Sequence, residues 1–185
     1  MSDGYSIKTR NYHKVIKLTD KCVLATSGMQ ADANALHALL RARLTMYEHD
    51  TGKQMPTTAV AQMLSNNLYY RRFFPYYTFN VLGGVDEEGQ GVAYSYDAVG
   101  SFERVKYSSS GTGQSLIQPF LDNQVARKNQ QITPDEKPSS DEVVEFVKDA
   151  LTSAGERDIY TGDSVDIAVI DKDGVKLIEF ELKKD

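Results

Sequence analysis

Residues 14–28 read KVIKLTDKCVLATSG, and this stretch decides the fold class. Two runs rich in Val, Ile, Leu and Thr flank the polar break Thr19–Lys21. Such a pattern predicts two strands, Lys14–Lys17 and Cys22–Ser27, joined by a hairpin turn. The regular structure of the chain therefore begins with an antiparallel strand pair.

Two amphipathic helices are predicted after this hairpin. The first ends at Asp50–Gly52, and the second begins at Pro56–Thr58. Their apolar faces are defined by residues at helical spacing: Leu36, Leu40, Leu44 and Tyr47 in the first, and Val60, Met63, Leu64, Asn67 and Leu68 in the second. Three β segments follow as an antiparallel meander with a glycine turn at Asp86–Gly89: Thr78–Leu82, Val92–Tyr96 and Phe102–Val105.

The second half of the chain repeats the alternation of helix pair and strand pair. A helix is predicted from Gly113, with Pro119 in or near its first turn or kinking it. A polar surface loop, Lys128–Ser140, carries Pro134 and Pro138 and leads to a capping box at Ser139–Glu142 that opens another helix. The apolar stripe of this helix consists of Val143, Val147, Ala150, Leu151 and Ala154. A closing hairpin is predicted after it, with the strands Val165–Ile170 and Val175–Leu182. Paired helices between antiparallel strand groups predict an α+β fold, a four-layer αββα sandwich.

Composition narrows the class of protein. The 185 residues suit a single domain spanning 1–185, and the formal net charge of −5 opposes binding to nucleic acid or to an anionic membrane. The one cysteine, Cys22, lies among apolar neighbours, which predicts a buried thiol in a reducing compartment inside the cell. No apolar run is long enough to cross a bilayer, and the start does not resemble a signal peptide.

Five irregular strings give the sequence a specific resemblance. They are YYRRFFPYY at 69–77, LGGVDEEG at 82–89, YDAVGSFER at 96–104, PFLDNQV at 119–125 and ERDIYTGD at 156–163. Together they resemble the β subunits of the eukaryotic 20S proteasome, in particular the member at the sixth position of the β ring, over essentially the whole chain. The resemblance implies the N-terminal nucleophile hydrolase fold, which agrees with the αββα order reached from the strands and helices.

The resemblance also implies a function. Catalytic members use the hydroxyl of an N-terminal threonine, whose own amine, with a pKa of about 8, acts as the base. An internal threonine has an amide nitrogen instead, and this chain shows no Gly-Thr start. The sixth-position member is non-catalytic, so the expected role is structural, without a cofactor, in a stacked four-ring particle of α and β subunits. Neighbouring subunits would carry out ATP- and ubiquitin-dependent protein degradation, and the expected location is the cytoplasm and nucleus.

Four residues correspond by this resemblance to the supporting groups of active subunits. They are Lys14, Thr112, Asp158 and Thr161, which we interpret as vestigial. Lys14 and Asp158 are expected to form a partly buried ion pair with a structural role. The resemblance further implies an optional divalent cation near the carbonyls around Asp158.

The start of the chain predicts an incomplete sheet. The resemblance begins at Ser2, whereas the relatives place two strands and an Asp-Thr-Arg turn before the matching residues. We therefore expect a chain lacking its first two strands, and a sheet edge that a neighbour or a loop must cover.

Other motifs leave alternatives open. His13, His37 and His49 lack metal-ligand spacing and are predicted to be exposed or capping residues. Gly111-Thr-Gly113 could hold an anion but is better explained as a tight turn. Arg71-Arg72 and the aromatic residues around them favour a protein interface over a nucleic-acid surface.

Two other functions remain as alternatives to the structural subunit. The first is an active threonine or serine peptidase, in which Ser2 would become N-terminal after removal of Met1. The second is a stand-alone binding module, which would be a stable monomer.

Overall fold

The computed structural model describes residues 1–132 and 137–185. Pro134, part of the predicted polar loop, lies outside the described residues. The elements are, in order, β1 Ser2–Asp3, β2 Ser6–Ile7, β3 Val15–Thr19, β4 Cys22–Gly28, α1 Gln30–Thr51, α2 Thr57–Tyr70, β5 Thr78–Val85, β6 Gly91–Tyr96, β7 Phe102–Val105, α3 Gln114–Gln124, α4 Ser140–Arg157, β8 Ser164–Asp171 and β9 Gly174–Glu181.

The chain groups into two compact units, and each is described by itself. The helical unit comprises Met1–His13, Gly111–Val169 and Leu177–Asp185. The sheet unit comprises Lys14–Ser110 and Ile170–Lys176. The assignment of 1–185 to a single domain stays a prediction.

The sheet unit contains a five-stranded antiparallel sheet in the order β3-β4-β5-β6-β7. The predicted first hairpin and the predicted meander are both confirmed. Leu82 lies opposite Leu24 on one side and opposite Tyr94 on the other, so large apolar residues of three strands share one face. Gly84 is required by close packing, because a Cβ there would lie 2.5 Å from the carbonyl oxygen of Lys21.

Helices α1 and α2 bury their apolar stripes in the core of this unit. The predicted stripes are confirmed except at Tyr47 and Met63, which are half-buried. The completely buried leucines of this core are Leu24, Leu36, Leu40, Leu64, Leu68 and Leu82. Burial of one such side chain contributes about 1.5–3 kcal/mol, so this cluster is the main stabilising feature of the unit. Helix α1 ends where predicted, with Gly52 in the left-handed conformation at φ 73°.

Cys22 lies in the same core and is completely buried, as predicted. Burial raises the pKa of the Cys22 thiol to about 12, because the thiolate would lose its hydration there. The thiol is therefore a small apolar core group rather than a reactive one.

The prediction for His37 was wrong, because this residue is buried on the inner face of α1. The Thr26 hydroxyl donates to Asn80 Oδ1 at 2.9 Å and so must accept the proton of His37 Nε2, which lies 2.8 Å away. Asn80 Nδ2 in turn donates to Thr78 Oγ1 at 3.2 Å. The four buried polar side chains form one hydrogen-bonded chain between α1 and the sheet, which satisfies the requirement that a buried polar group be paired. His13 and His49 are exposed, as predicted.

The helical unit contains α3 and α4, which pack against each other. The predicted capping box is confirmed: Glu142 N donates to Ser139 Oγ at 3.3 Å, and Ser139 N donates to Glu142 Oε2 at 2.8 Å. Pro119 is the sixth residue of α3 and therefore lies beyond the first turn, inside the helix. The α-helical conformation continues on both sides of Pro119, although the proline nitrogen cannot donate a hydrogen bond.

Two short hairpins complete the described strands. β8 and β9 form the two-stranded sheet predicted for the end of the chain. β1 and β2 pair around Gly4, whose φ is 57°, in a hairpin that the sequence did not predict. Its strands are two residues each and exposed, so they carry no hydrophobic alternation that a sequence pattern could reveal.

Candidate functional site

Asp158 is the centre of a hydrogen-bonded cluster in the helical unit. The hydroxyls of Thr112 and Thr161 both donate to the same oxygen, Asp158 Oδ2, each at 2.6 Å. The other oxygen, Oδ1, accepts the backbone N–H of Tyr160 at 3.1 Å. The structure therefore brings together three of the four residues that the sequence singled out.

Local structure explains how these residues meet. Asp158 is the C-cap of α4, and its N–H donates to the carbonyl of Ala154 at 2.8 Å. Thr112 stands just before α3, in the turn in which Gln114 N donates to the carbonyl of Gly111 at 3.2 Å. This bond confirms the prediction of a tight turn at Gly111–Gly113. The carboxylate thus joins the end of α4 to the start of α3.

Gly113 lies beside this cluster. A Cβ at position 113 would lie 3.4 Å from Thr161 Oγ1 and 3.6 Å from Asp158 Oδ2. Both distances are ordinary van der Waals contacts, so the backbone just before α3 packs directly against the cluster.

In the contacts described above, two hydroxyls and a backbone N–H donate to the Asp158 carboxylate. Both threonines lie within the chain, and the nitrogen of Thr161 is an amide that donates to the Asp158 carbonyl at 3.1 Å. An amide nitrogen cannot act as a general base, and a carboxylate is a weak base toward a hydroxyl. This geometry supports charge-assisted hydrogen bonding, which is about twice as strong as bonding between neutral groups.

Lys14 is exposed and immediately precedes β3. It belongs to the sheet unit, whereas Asp158 belongs to the helical unit. The ion pair expected between them stays a prediction.

Two ion pairs of the helical unit were not predicted. Arg10 donates to Asp163 Oδ1 at 2.8 Å, and His13 Nδ1 lies 2.8 Å from Asp166 Oδ2. The hydrogen bond to Asp166 and the charge of its carboxylate raise the pKa of His13 above 6.5. The partners are 153 residues apart, so no local pattern could have revealed either pair.

Metal-ligand groups and membrane-spanning helices are both absent from the described residues. Within residues 1–132 and 137–185, no group of three or more His, Cys, Asp or Glu side chains is placed to hold a metal ion. No helix in these ranges is long and apolar enough to cross a membrane. The divalent cation expected at the carbonyls near Asp158 stays a prediction.

The segment Tyr69–Tyr77, which we call the aromatic-arginine loop, is the second candidate site. It joins α2 to β5 and exposes most of its aromatic side chains. Arg71 lies over the ring of Tyr76 at 4.7 Å from its centroid, and Arg72 lies over Phe73 at 5.8 Å. Exposed aromatic and arginine side chains are the residue types enriched at protein interfaces.

The antiparallel sheets, the four helices of the described residues and the Asp158 cluster point to one class of protein, and comparison with known proteins identifies it. The family model described as "Proteasome subunit" matches residues 1–170. The chain belongs to the proteasome subunit family. This membership, with the observed sheets and helices, agrees with the predicted αββα sandwich of the N-terminal nucleophile hydrolase type.

Similar proteins from three distant organisms carry the same name within this family. The chain is 62% identical to "Proteasome subunit beta type-1" of Dictyostelium discoideum over 187 residues, which cover 100% of this chain and 79% of that protein. It is 52% identical to the protein of the same name from Petunia hybrida, with 100% of this chain and 85% of the relative covered. The corresponding protein of Danio rerio is 45% identical, with coverages of 100% and 78%.

Proposed function

We propose that this chain is a non-catalytic structural subunit of the β ring of the 20S proteasome core particle. It contributes walls and contacts to a compartment in which neighbouring subunits hydrolyse the peptide bonds of proteins delivered by the ATP- and ubiquitin-dependent pathway. Its partners are the other α and β subunits of the stacked four-ring particle. The observation that carries the β-ring assignment is the match of the whole chain to relatives named as β type-1 subunits.

The Asp158 cluster supports the non-catalytic part of the proposal. Thr112 and Thr161 are internal residues, and each hydroxyl donates to the carboxylate rather than to a free amine. A threonine nucleophile of the N-terminal type needs its own amine as the base. In this cluster the hydroxyls and the carboxylate hold two helix ends together.

A covalent inhibitor tests the absence of catalysis. Purified particles containing the chain are treated with a threonine-directed epoxyketone, and the intact mass of each subunit is measured. We expect adducts on catalytic neighbours and an unchanged mass for this chain. An adduct on this chain would support the alternative, an active N-terminal nucleophile peptidase.

Assembly is tested separately. Native electrophoresis and electron microscopy of particles purified through a tag on this chain are expected to show the four-ring complex. Recovery of the chain only as a free monomer would support the stand-alone binding module instead.

Location and cation binding complete the proposal. We place the chain in the cytoplasm and nucleus, which fluorescence microscopy of a tagged chain can test. No cofactor takes part, and a divalent cation at the carbonyls near Asp158 has a structural role. Comparison of the thermal unfolding of particles with and without a chelator tests the cation, because its loss should lower the unfolding temperature.

A further inference from the structure

The aromatic-arginine loop exposes an unusual amount of apolar surface. The exposed fractions are 92% for Tyr70, 96% for Phe73 and 82% for Phe74, and Tyr69 and Tyr77 are each 63% exposed. Single exposed apolar residues are normal, but five exposed aromatic side chains within nine residues of sequence provide the kind of apolar surface that marks an interaction site.

The backbone of this loop is held in place at both ends. At its start, Arg72 N donates to the carbonyl of Tyr69 at 2.9 Å, and Phe74 N donates to that of Arg71 at 3.0 Å. At its end, Tyr77 N donates to Asp32 Oδ2 at 2.8 Å, and the Tyr77 carbonyl accepts Met29 N at 2.8 Å. The loop is thus pre-organised, which reduces the entropy lost when a partner binds.

Packing beneath the loop adds to this order. A Cβ on Gly100 would lie 2.5 Å from the carbonyl oxygen of Ser65 and 3.2 Å from Tyr69 N, and Ser65 Oγ donates to the Gly100 carbonyl at 2.6 Å. A Cβ on Gly28 would lie 2.4 Å from the Tyr77 carbonyl oxygen. Close backbone contacts therefore fix the last turn of α2 and the start of β5, and the exposed rings project from a rigid base.

The charge of the loop defines the chemistry of its partner. Arg71 and Arg72 are stacked on aromatic rings, and within the described ranges 1–132 and 137–185 neither guanidinium pairs with a carboxylate. The loop contains no acidic residue, although the whole chain has a net charge of −5. A stacked guanidinium keeps its N–H edge available for a carboxylate of another molecule.

We propose that the aromatic-arginine loop binds a neighbouring subunit of different sequence, through an apolar surface that carries one or more carboxylates. This inference rests on the proposed function, because it names one surface by which the chain joins its particle. A symmetric contact between two copies is disfavoured, since the loop of one copy would face the same two arginines of the other. The aromatic rings supply the buried area, and the arginines select the acidic partner.

Photo-crosslinking in the assembled particle tests the partner directly. The photoreactive residue p-benzoylphenylalanine replaces Phe73 in the full-length chain, the particle is purified and irradiated, and cross-linked peptides are identified by mass spectrometry. We expect a link to a peptide of another subunit that carries Asp or Glu near the linked residue. Links to this same chain only, or no link, would overturn the inference.

Competition between variants and the wild-type chain provides a second measurement. The double variant Arg71→Glu, Arg72→Glu is expected to enter the particle at least about tenfold less well, because reversing charge at a desolvated pair is costly. The variant Arg71→Lys, Arg72→Lys keeps the charge but loses the planar guanidinium. Its incorporation into the particle should therefore lie between that of the wild type and that of the double Glu variant. The double variant Lys172→Glu, Lys176→Glu, which reverses two charges at exposed positions of the β8–β9 hairpin, is the matched control and should enter like the wild type.

The outcomes separate this inference from the proposed function. Circular dichroism must show that the unincorporated variants are folded, which is expected because both arginines are exposed. If the wild-type chain is absent from the particle, the proposed function fails and this inference fails with it. If the wild type is present but the Glu variants enter equally well, only the inference about the loop is overturned.

Discussion

Replacement of Thr26 by Val tests the buried polar chain of the sheet unit. Valine matches threonine in shape but lacks the hydroxyl that accepts from His37 Nε2 at 2.8 Å and donates to Asn80 Oδ1 at 2.9 Å. The three side chains are at most 8% exposed, so water cannot readily replace the lost partner. Both polar atoms would therefore be left without their hydrogen bond in the core.

The cost can be worked from these contacts. A buried polar group left unsatisfied costs about 1–3 kcal/mol, so the two groups together cost about 2–6 kcal/mol. The additional buried methyl group of valine returns about 0.8 kcal/mol. We expect Thr26→Val to lower the free energy of unfolding by about 1–5 kcal/mol, which is large against the total stability of a typical protein.

Urea unfolding of the purified chain, followed by circular dichroism, measures this change. Thr45→Val is the matched control, because Thr45 is an exposed residue of α1 and the same substitution there removes no buried hydrogen bond. We expect the control to stay within about 0.5 kcal/mol of the wild type. If Thr26→Val unfolds at the same urea concentration as the control, the buried chain of hydrogen bonds does not stabilise the fold.

Three further predictions concern titratable groups. Burial lowers the pKa of His37 below 6.5, so the unfolded state binds the proton more tightly than the folded state. Stability should therefore fall as the pH drops below 6.5. In urea unfolding, the variant His37→Gln should lose this part of the pH dependence. His13 has the opposite sign: its pairing with Asp166 is present below pH 6.5 and is lost as the pH rises through its raised pKa, and NMR titration should show Asp166→Asn returning that pKa toward 6.5. Because the pKa of Cys22 is about 12, iodoacetamide at mildly alkaline pH should leave the native thiol unmodified and alkylate it in denaturant, and rapid native alkylation would contradict this.

The sequence predicted those elements whose side chains alternate between core and solvent. The leucines of α1 and α2 and the strands of the meander follow helical or alternating spacing, because one face of each element is buried. The helical spacing of α1 carries the same signal for His37. His37 lies four residues after Ala33 and three before Leu40, on the buried face of α1, so its position on that face outweighed its polarity.

Other features could not have been read from local patterns. Exposed strands such as β1 and β2 have no buried face, and the partners Arg10 and Asp163 become neighbours only through the folding of the intervening chain. Asp158 is an intermediate case, since the ERDIYTGD string singled it out by resemblance. Its bond to Thr112, 46 residues earlier, required the structure.

The geometry of Asp158 also bears on how a catalytic arrangement differs from a structural one. In a threonine nucleophile of the N-terminal type, an amine with a pKa of about 8 takes the hydroxyl proton. A carboxylate is a far weaker base than an amine, so transfer of a proton from Thr112 or Thr161 to Asp158 is strongly uphill. Short bonds of 2.6 Å therefore do not activate these hydroxyls but fix them as donors. Catalysis at this cluster would need a separate amine, whereas the attachment of α4 to the start of α3 needs only the three residues already in contact.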